Sequence, residues 1–280
     1  MRFTTNVGSF DMVLNPTDDP NLQPLVDNIV AYIGLGKYHF SAVNRADNRS
    51  AGTADDFVLQ MGSFLGFPPT QELFGQLHQS IEALSPVIVD GNRDGQVDFS
   101  ARSNTRGTVS MALQAGNPNS GTSSFFINLG DNSFLNNQGF VPFAEIRNMT
   151  TVDRIMALSQ TDLSDEAGQS GSLAFTDVPI MENGRLVVVT DVDVLEADAN
   201  FSFVGPIASA LQLAARNSAS NPAATAAGTM TALLESSSSL DAEVESTPMS
   251  AIAIPEPSTL VLGLLGGLAS LAGWRRRLVR

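Results

Sequence analysis

The order of apolar and polar positions begins with a strand signature. Phe10, Met12 and Leu14 alternate with Asp11 and Val13 after the turn-forming run Asn6-Val7-Gly8-Ser9, so a β-hairpin is expected to open the fold. Leu22, Leu25, Val26, Ile29 and Ile33 then recur at helical spacing, and Gly34 and Gly36 supply a stop. Further short strands are expected at 57–60, 107–113, 124–129 and 140–146, each bounded by Gly, Asn or Pro clusters. Val152, Ile155 and Met156, with Thr150 or Thr151 as N-cap, predict a second helix, and 186–194 alternates again as a closing strand. Many short strands with two helices predict a mainly β fold, a closed antiparallel barrel capped by two α-helices.

Two stretches interrupt this pattern. Residues 46–56 are polar, and 67–85 carry Leu73, Phe74, Leu77, Ile81 and Leu84 at near-helical spacing, which predicts an added amphipathic element packed on the barrel. From Asp198 the chain turns to Ala, Ser, Thr and Asn, with too few large apolar residues for a second core. The expected organisation is one domain over 1–197, a disordered linker over 198–253 and a C-terminal segment over 254–280. A short helix built on Leu211 and Leu213 beside Ala214-Ala215 is the alternative to a solvated tether at the start of the linker.

Composition narrows the chemistry. Lys+Arg 15 against Asp+Glu 29 gives a net charge of −14, so nucleic acid is not an expected partner, because phosphate binding needs a basic face. Cysteine is absent, which removes disulfides, thiol nucleophiles and Cys-based zinc sites. His39 and His78 have no second ligand at metal spacing and are expected on the surface or in loops. Asp90, Asn92, Asp94 and Asp98 follow the first half of a calcium loop, with Gly95 at the sixth position, but Ala101 stands where the acidic twelfth ligand belongs. A glycine-rich turn is the preferred reading there, and neither metal nor cofactor is expected.

The densest motif is Gly107-Thr108-Val109-Ser110-Met111-Ala112, followed by Asn119-Ser120-Gly121-Thr122-Ser123-Ser124-Phe125-Phe126-Ile127-Asn128-Leu129 and Asp131-Asn132-Ser133-Phe134-Leu135. Upstream, Val26-Asp27-Asn28-Ile29 leads to Tyr38, Arg45 and Phe57-Val58-Leu59-Gln60-Met61-Gly62. From about Phe3 to Glu196 this order resembles the cyclophilin family of peptidyl-prolyl cis-trans isomerases. The resemblance implies a reaction on proline-containing polypeptides in which Arg45 is the catalytic arginine. It also implies that Phe57, Val58, Phe126 and Leu135 hold the proline ring and that Gln60 bonds the substrate backbone. Ala112 and Leu113 would hold the preceding peptide, with Phe134 and Phe140 as the far wall. Val43-Asn44-Arg45 departs from the family's phenylalanine-histidine-arginine, and 46–56 is longer than its usual connection. A non-catalytic peptide-binding or matrix module is therefore the alternative reading.

Pro255-Glu256-Pro257-Ser258-Thr259, the apolar stretch 260–274 and the cluster Arg275-Arg276-Arg277 resemble the PEP-CTERM sorting signal of Gram-negative envelope proteins. That implies transient membrane insertion of a C-terminal apolar helix, processing by a sorting protease-transferase, and a periplasmic or cell-surface destination. The stretch is shorter than the roughly 20 residues of a comfortable span. A permanent tail anchor is the alternative. The N-terminus shows no signal-peptide pattern, so export predicts either a start upstream of Met1 or a copy that has lost export.

Overall fold

Arg2–Thr5 (β1) and Ser9–Leu14 (β2) form the expected hairpin, with Phe3 opposite Phe10. Its turn is held by Thr5, whose Oγ1 donates to the Gly8 carbonyl at 2.7 Å and accepts from the Val7 and Gly8 N–H groups at 3.1 Å. This computed structural model describes residues 1–48, 56–66, 80–114, 117–165, 167, 170–199 and 201–220, the side chains of 48 and 214–220 excepted.

The strands that follow are β3 (Ser41–Asn48), β4 (Asp56–Leu65), β5 (Thr108–Met111), β6 (Phe125–Asn128), β7 (Pro142–Ile146), the short pair β8 (Ser159–Thr161) and β9 (Val178–Ile180), and β10 (Val189–Asp193). Eight of them make one antiparallel sheet in the order β10-β1-β2-β7-β5-β6-β4-β3. The sheet curls until its two ends meet. Ala42 bridges Val188, and the Phe40 and Val43 N–H groups donate to the Val189 and Val187 carbonyls at 2.8 and 2.9 Å. Closure removes the exposed edge that an open sheet of this size would carry.

Inward-facing aromatic side chains fill the barrel. Phe3 stacks on Phe10 with centroids 5.3 Å apart, and Tyr38 meets Phe125 edge-on at 5.6 Å. Each is almost wholly buried, and such a side chain contributes about 2–3 kcal/mol. α1 (Gln23–Gly34) covers the core with Leu25, Ile29 and Tyr32, and α2 (Thr150–Met156) with Val152 and Ile155. Burial pushes the Tyr32 phenol up to about 12, and its oxygen accepts the Leu84 N–H at 2.6 Å. Met149, not a threonine, occupies the N-cap of α2. The Asn148 side chain accepts from the Thr150 N–H at 2.9 Å.

Two expectations are corrected. Residues 80–85 are not helical. Ser80 bridges Phe64, the Ile81 N–H donates to the Ser63 carbonyl, and Ile81 and Leu84 are buried as an irregular strap on the barrel. Tertiary burial of a few apolar residues overrides their helix-like spacing here, while Leu73, Phe74 and Leu77 lie outside the described residues. The proposed linker, second, begins with a third helix, α3 (Val204–Ser220), where a tether was preferred. Phe203, Ile207 and Ala210 pack it against the core at α1, so the structured part of the chain extends past 197. The rest of the linker and the 254–280 segment, with its apolar stretch, lie outside the described residues.

Gly34 sets how closely α3 approaches. A Cβ there would lie 2.7 Å from Phe203 Cδ1 and 2.9 Å from Ile207 Cδ1. Alanine favours a helix over glycine by about 1 kcal/mol, but the ring of Phe203 has to move to admit it. Gly34→Ala is expected to loosen α3, seen as faster amide hydrogen exchange over 204–213 with unchanged protection in β5 and β6. Unchanged exchange in α3 would show that Gly34 does not set the docking.

Candidate functional site

Arg45 sits on β3, which runs on into the polar stretch that begins at residue 46. In the β3–β4 ladder Val43 pairs with Met61 and Arg45 with Gln60, so Asn44 is an extra residue that bulges out of register. A bulge turns the side chains beside it. A second shift lies between Asp47, opposite Val58, and Asn48, opposite Asp56, and it skips Phe57. Strict alternation would send Phe57 and Val58 to opposite faces. The bulge instead brings the Phe57 ring to the face of Arg45, with the guanidinium carbon 5.9 Å from the ring centroid, within cation–π range.

Gln60, Phe126, Phe140 and Phe134 are tied to this face by strand pairing or ring contact. Gln60 pairs across to Phe126 on β6, and Phe126 to Ser110 on β5. Phe126 meets Phe140 at 5.6 Å, and Phe57 stacks on Phe134 at 5.8 Å. Leu135 is buried in the 3-10 turn Ser133–Gln138, and Ala112 and Leu113 continue from β5, the Ala112 N–H donating to the Ser124 carbonyl at 2.9 Å. Val58, opposite Asp47 in the β3–β4 ladder, is buried. The cluster is closed to solvent: the Arg45 side chain is 3% exposed, and Phe134, at 39%, is the predicted position that reaches the surface. A cleft of about 780 Å³ lies elsewhere, between β2, α1 and the segment leading into α3, and none of these residues lines it.

Electrostatics concentrate on Arg45. Its Nη2 donates to Asp47 Oδ2 at 2.5 Å, while its buried Nε has no hydrogen-bond partner among the described residues. The Gln60 amide does not reach it and donates instead to Ser124 Oγ at 3.1 Å. Asp177 is close enough to feel both Arg45 and Asp47, and burial raises its carboxyl above the ordinary value of 3.8, Thr176 and Arg45 opposing that rise. A carboxyl raised on folding favours the fold below its ordinary pKa and loses that contribution as pH rises through the raised value. Asp177→Asn is therefore expected to raise the melting temperature at pH 7, with the gain disappearing below about pH 3.8. A lower melting temperature at neutral pH would mean that Arg45 needs the second charge.

A family model described as cyclophilin type peptidyl-prolyl cis-trans isomerase/CLD matches residues 1–174. The chain belongs to this family. A peptidyl-prolyl cis-trans isomerase of Streptomyces antibioticus is 30% identical over 142 residues, 51% of this chain and 69% of that protein. Peptidyl-prolyl cis-trans isomerase B of Escherichia coli is 30% identical over 167 residues, 57% of this chain and 85% of that one. A crystal structure of a Cryptosporidium parvum cyclophilin-type isomerase, determined with the dipeptide Ala-Pro, aligns with 70% of this chain and 98% of its own at 17% identity and a TM-score of 0.42. Residues 253–277 match the PEP-CTERM protein-sorting motif.

The sequence reading of this cyclophilin domain missed Asp47, Ser124 and Asn104. Asp47 follows Arg45 by two residues, a signal that becomes visible once 41–48 is known to be a strand. Asn104, Asn128 and Asn132 form a buried network behind the site. Asn128 Nδ2 donates to Thr108 Oγ1 at 2.9 Å and to Asn104 Oδ1 at 3.1 Å, and Asn132 Nδ2 donates to Asn128 Oδ1 at 2.9 Å and to the Phe57 carbonyl at 2.8 Å. Asn104 Nδ2 donates to the Phe140 carbonyl at 2.9 Å. The network thus holds the backbone of two aromatic walls. An asparagine ending the apolar run Phe125-Phe126-Ile127 was the available signal.

The calcium-like segment folds as nested turns. Asp90 Oδ1 and Oδ2 accept from the Arg93 and Gly95 N–H groups at 2.6 and 2.9 Å, and Asp98 Oδ2 accepts from Gly91 N–H at 2.6 Å. Asn92 Oδ1 and Asp94 Oδ1 accept from the Asp94 and Gln96 N–H groups. Among the described residues no group of three or more His, Cys, Asp or Glu side chains is placed to hold a metal.

Proposed function

We propose that this chain catalyses rotation about X-Pro bonds in exported or cell-envelope proteins, with Arg45 stabilising the twisted amide. The barrier of about 18–20 kcal/mol comes from nitrogen–carbonyl resonance, and twisting localises a lone pair on the proline nitrogen. A fixed cationic donor near that nitrogen binds the twisted state better than either planar one, and neither a nucleophile nor a metal is required. The observation that carries this reading is Arg45, buried on the aromatic face with an Nε–H that no group among the described residues accepts.

In this reading Phe57, Val58, Phe126 and Leu135 hold the proline ring, Phe134 and Phe140 form its far wall, Ala112 and Leu113 receive the preceding peptide, and Gln60 turns from Ser124 to the substrate backbone. Cis-to-trans relaxation of a short proline peptide, followed with the full-length chain, tests it. The Arg45–Asp47 pair and the closure of the cluster favour a second reading, a peptide-binding module without catalysis. Peptide binding with no acceleration of relaxation would select that module.

The PEP-CTERM motif supports sorting to the cell envelope, with the 254–280 segment in the membrane until a protease-transferase removes it. Among the described residues no helix is long and apolar enough to cross a membrane. Expression in a host with the sorting machinery tests this step: a chain lacking 253–277 should leave the envelope fraction, and its retention there would count against sorting by the tail.

A further inference from the structure

Arg45 is long and flexible, and a buried guanidinium with one hydrogen bond among the described residues stays in place only if that bond fixes its fork. Gln60, directly across the ladder, is turned to Ser124. The Phe57 ring covers the guanidinium face but supplies no direction within its plane. Asp47 lies two residues along the same strand, on the same face, 14% exposed, and accepts from Nη2. Among the described residues it is the guanidinium's one hydrogen-bond partner. One arm of the fork is thereby held by a carboxylate, and the buried Nε–H meets no acceptor among the described residues.

We propose that Asp47 is the positioning residue of this site, fixing the rotation of the Arg45 guanidinium so that its Nε–H is aimed at the reacting amide. The proposal rests on the isomerase reading of Arg45. A charged partner also draws on the positive charge that Arg45 offers the twisted amide, so two effects of opposite sign compete. Orientation is the larger one, because a misdirected donor loses most of its effect on a transition state whereas a paired one keeps part of its charge.

The test uses the full-length chain. Asp47→Ala is expected to lower kcat by about tenfold with KM changed less than about twofold. Asp47→Asn, whose amide oxygen still accepts from Nη2, should fall between that variant and wild type and serves alone if the alanine variant does not fold. In an Arg45→Ala background, Asp47→Ala should add almost nothing. The Arg45 Nε–H resonance, expected to be sharp and slowly exchanging in wild type, should broaden or vanish in Asp47→Ala. Unchanged or increased kcat in Asp47→Ala, or an unchanged resonance, overturns the proposal. If wild type itself proves inactive, the isomerase reading falls, and the resonance alone then decides whether Asp47 orients Arg45.

Discussion

Arg45→Ala in the full-length chain is expected to slow catalysed cis-to-trans relaxation by about a hundredfold or more, the usual effect of deleting one preorganised donor to developing charge. That factor corresponds to about 2.7 kcal/mol of transition-state stabilisation. Binding of a proline peptide should change far less, because the aromatic face of Phe57, Phe126 and Phe140 remains. Arg45→Lys is not expected to restore the rate, since an ammonium has no planar fork to hold one arm on Asp47 while presenting another donor. A loss below about threefold in Arg45→Ala would assign catalysis to some other group or to the apolar face alone.

The largest expected loss of stability comes from the asparagine network. Asn128→Ala removes an amide that donates to Thr108 and Asn104 and accepts from Asn132, taking one buried hydrogen bond from each of three side chains. Each lost hydrogen bond costs about 1 kcal/mol, so a total near 3 kcal/mol is expected, with a melting temperature lower by about 10 °C. The same change should reach the site, because Asn132 also holds the Phe57 carbonyl and Asn104 the Phe140 carbonyl. Thermal unfolding at neutral pH gives the first quantity. A drop of less than about 1 kcal/mol would mean that the network closes around the gap.

Much of the barrel was legible in the chain. The hairpin at Phe10 and the helix spaced on Leu25 and Ile29 carry a local period that burial enforces, and the strands around Val109, Phe126 and Phe143 are short buried runs bounded by Gly, Asn or Pro. The misses have physical reasons. β3 reads as polar because its Asn44, Arg45 and Asp47 are partnered in three dimensions rather than exposed to water. Residues 80–85 have helical spacing but are straightened by Ser63 and Tyr32. The α3 segment is poor in large side chains, yet Phe203 and Ile207 suffice because Gly34 lets them close.

By itself, the sequence determined the family, the barrel and the residue types of the site: an arginine, a glutamine and a set of aromatics in a fixed order. Only the tertiary structure decided which faces they share and which partners they take. The one-residue register shift at Phe57 brings its ring to the side of the sheet that Arg45 takes, where alternation along β3 gives Asp47 to Arg45 and Gln60 is left with Ser124. A slip of one residue reverses the direction of a strand side chain, and it is set by closure of the whole barrel, not by the residues nearby.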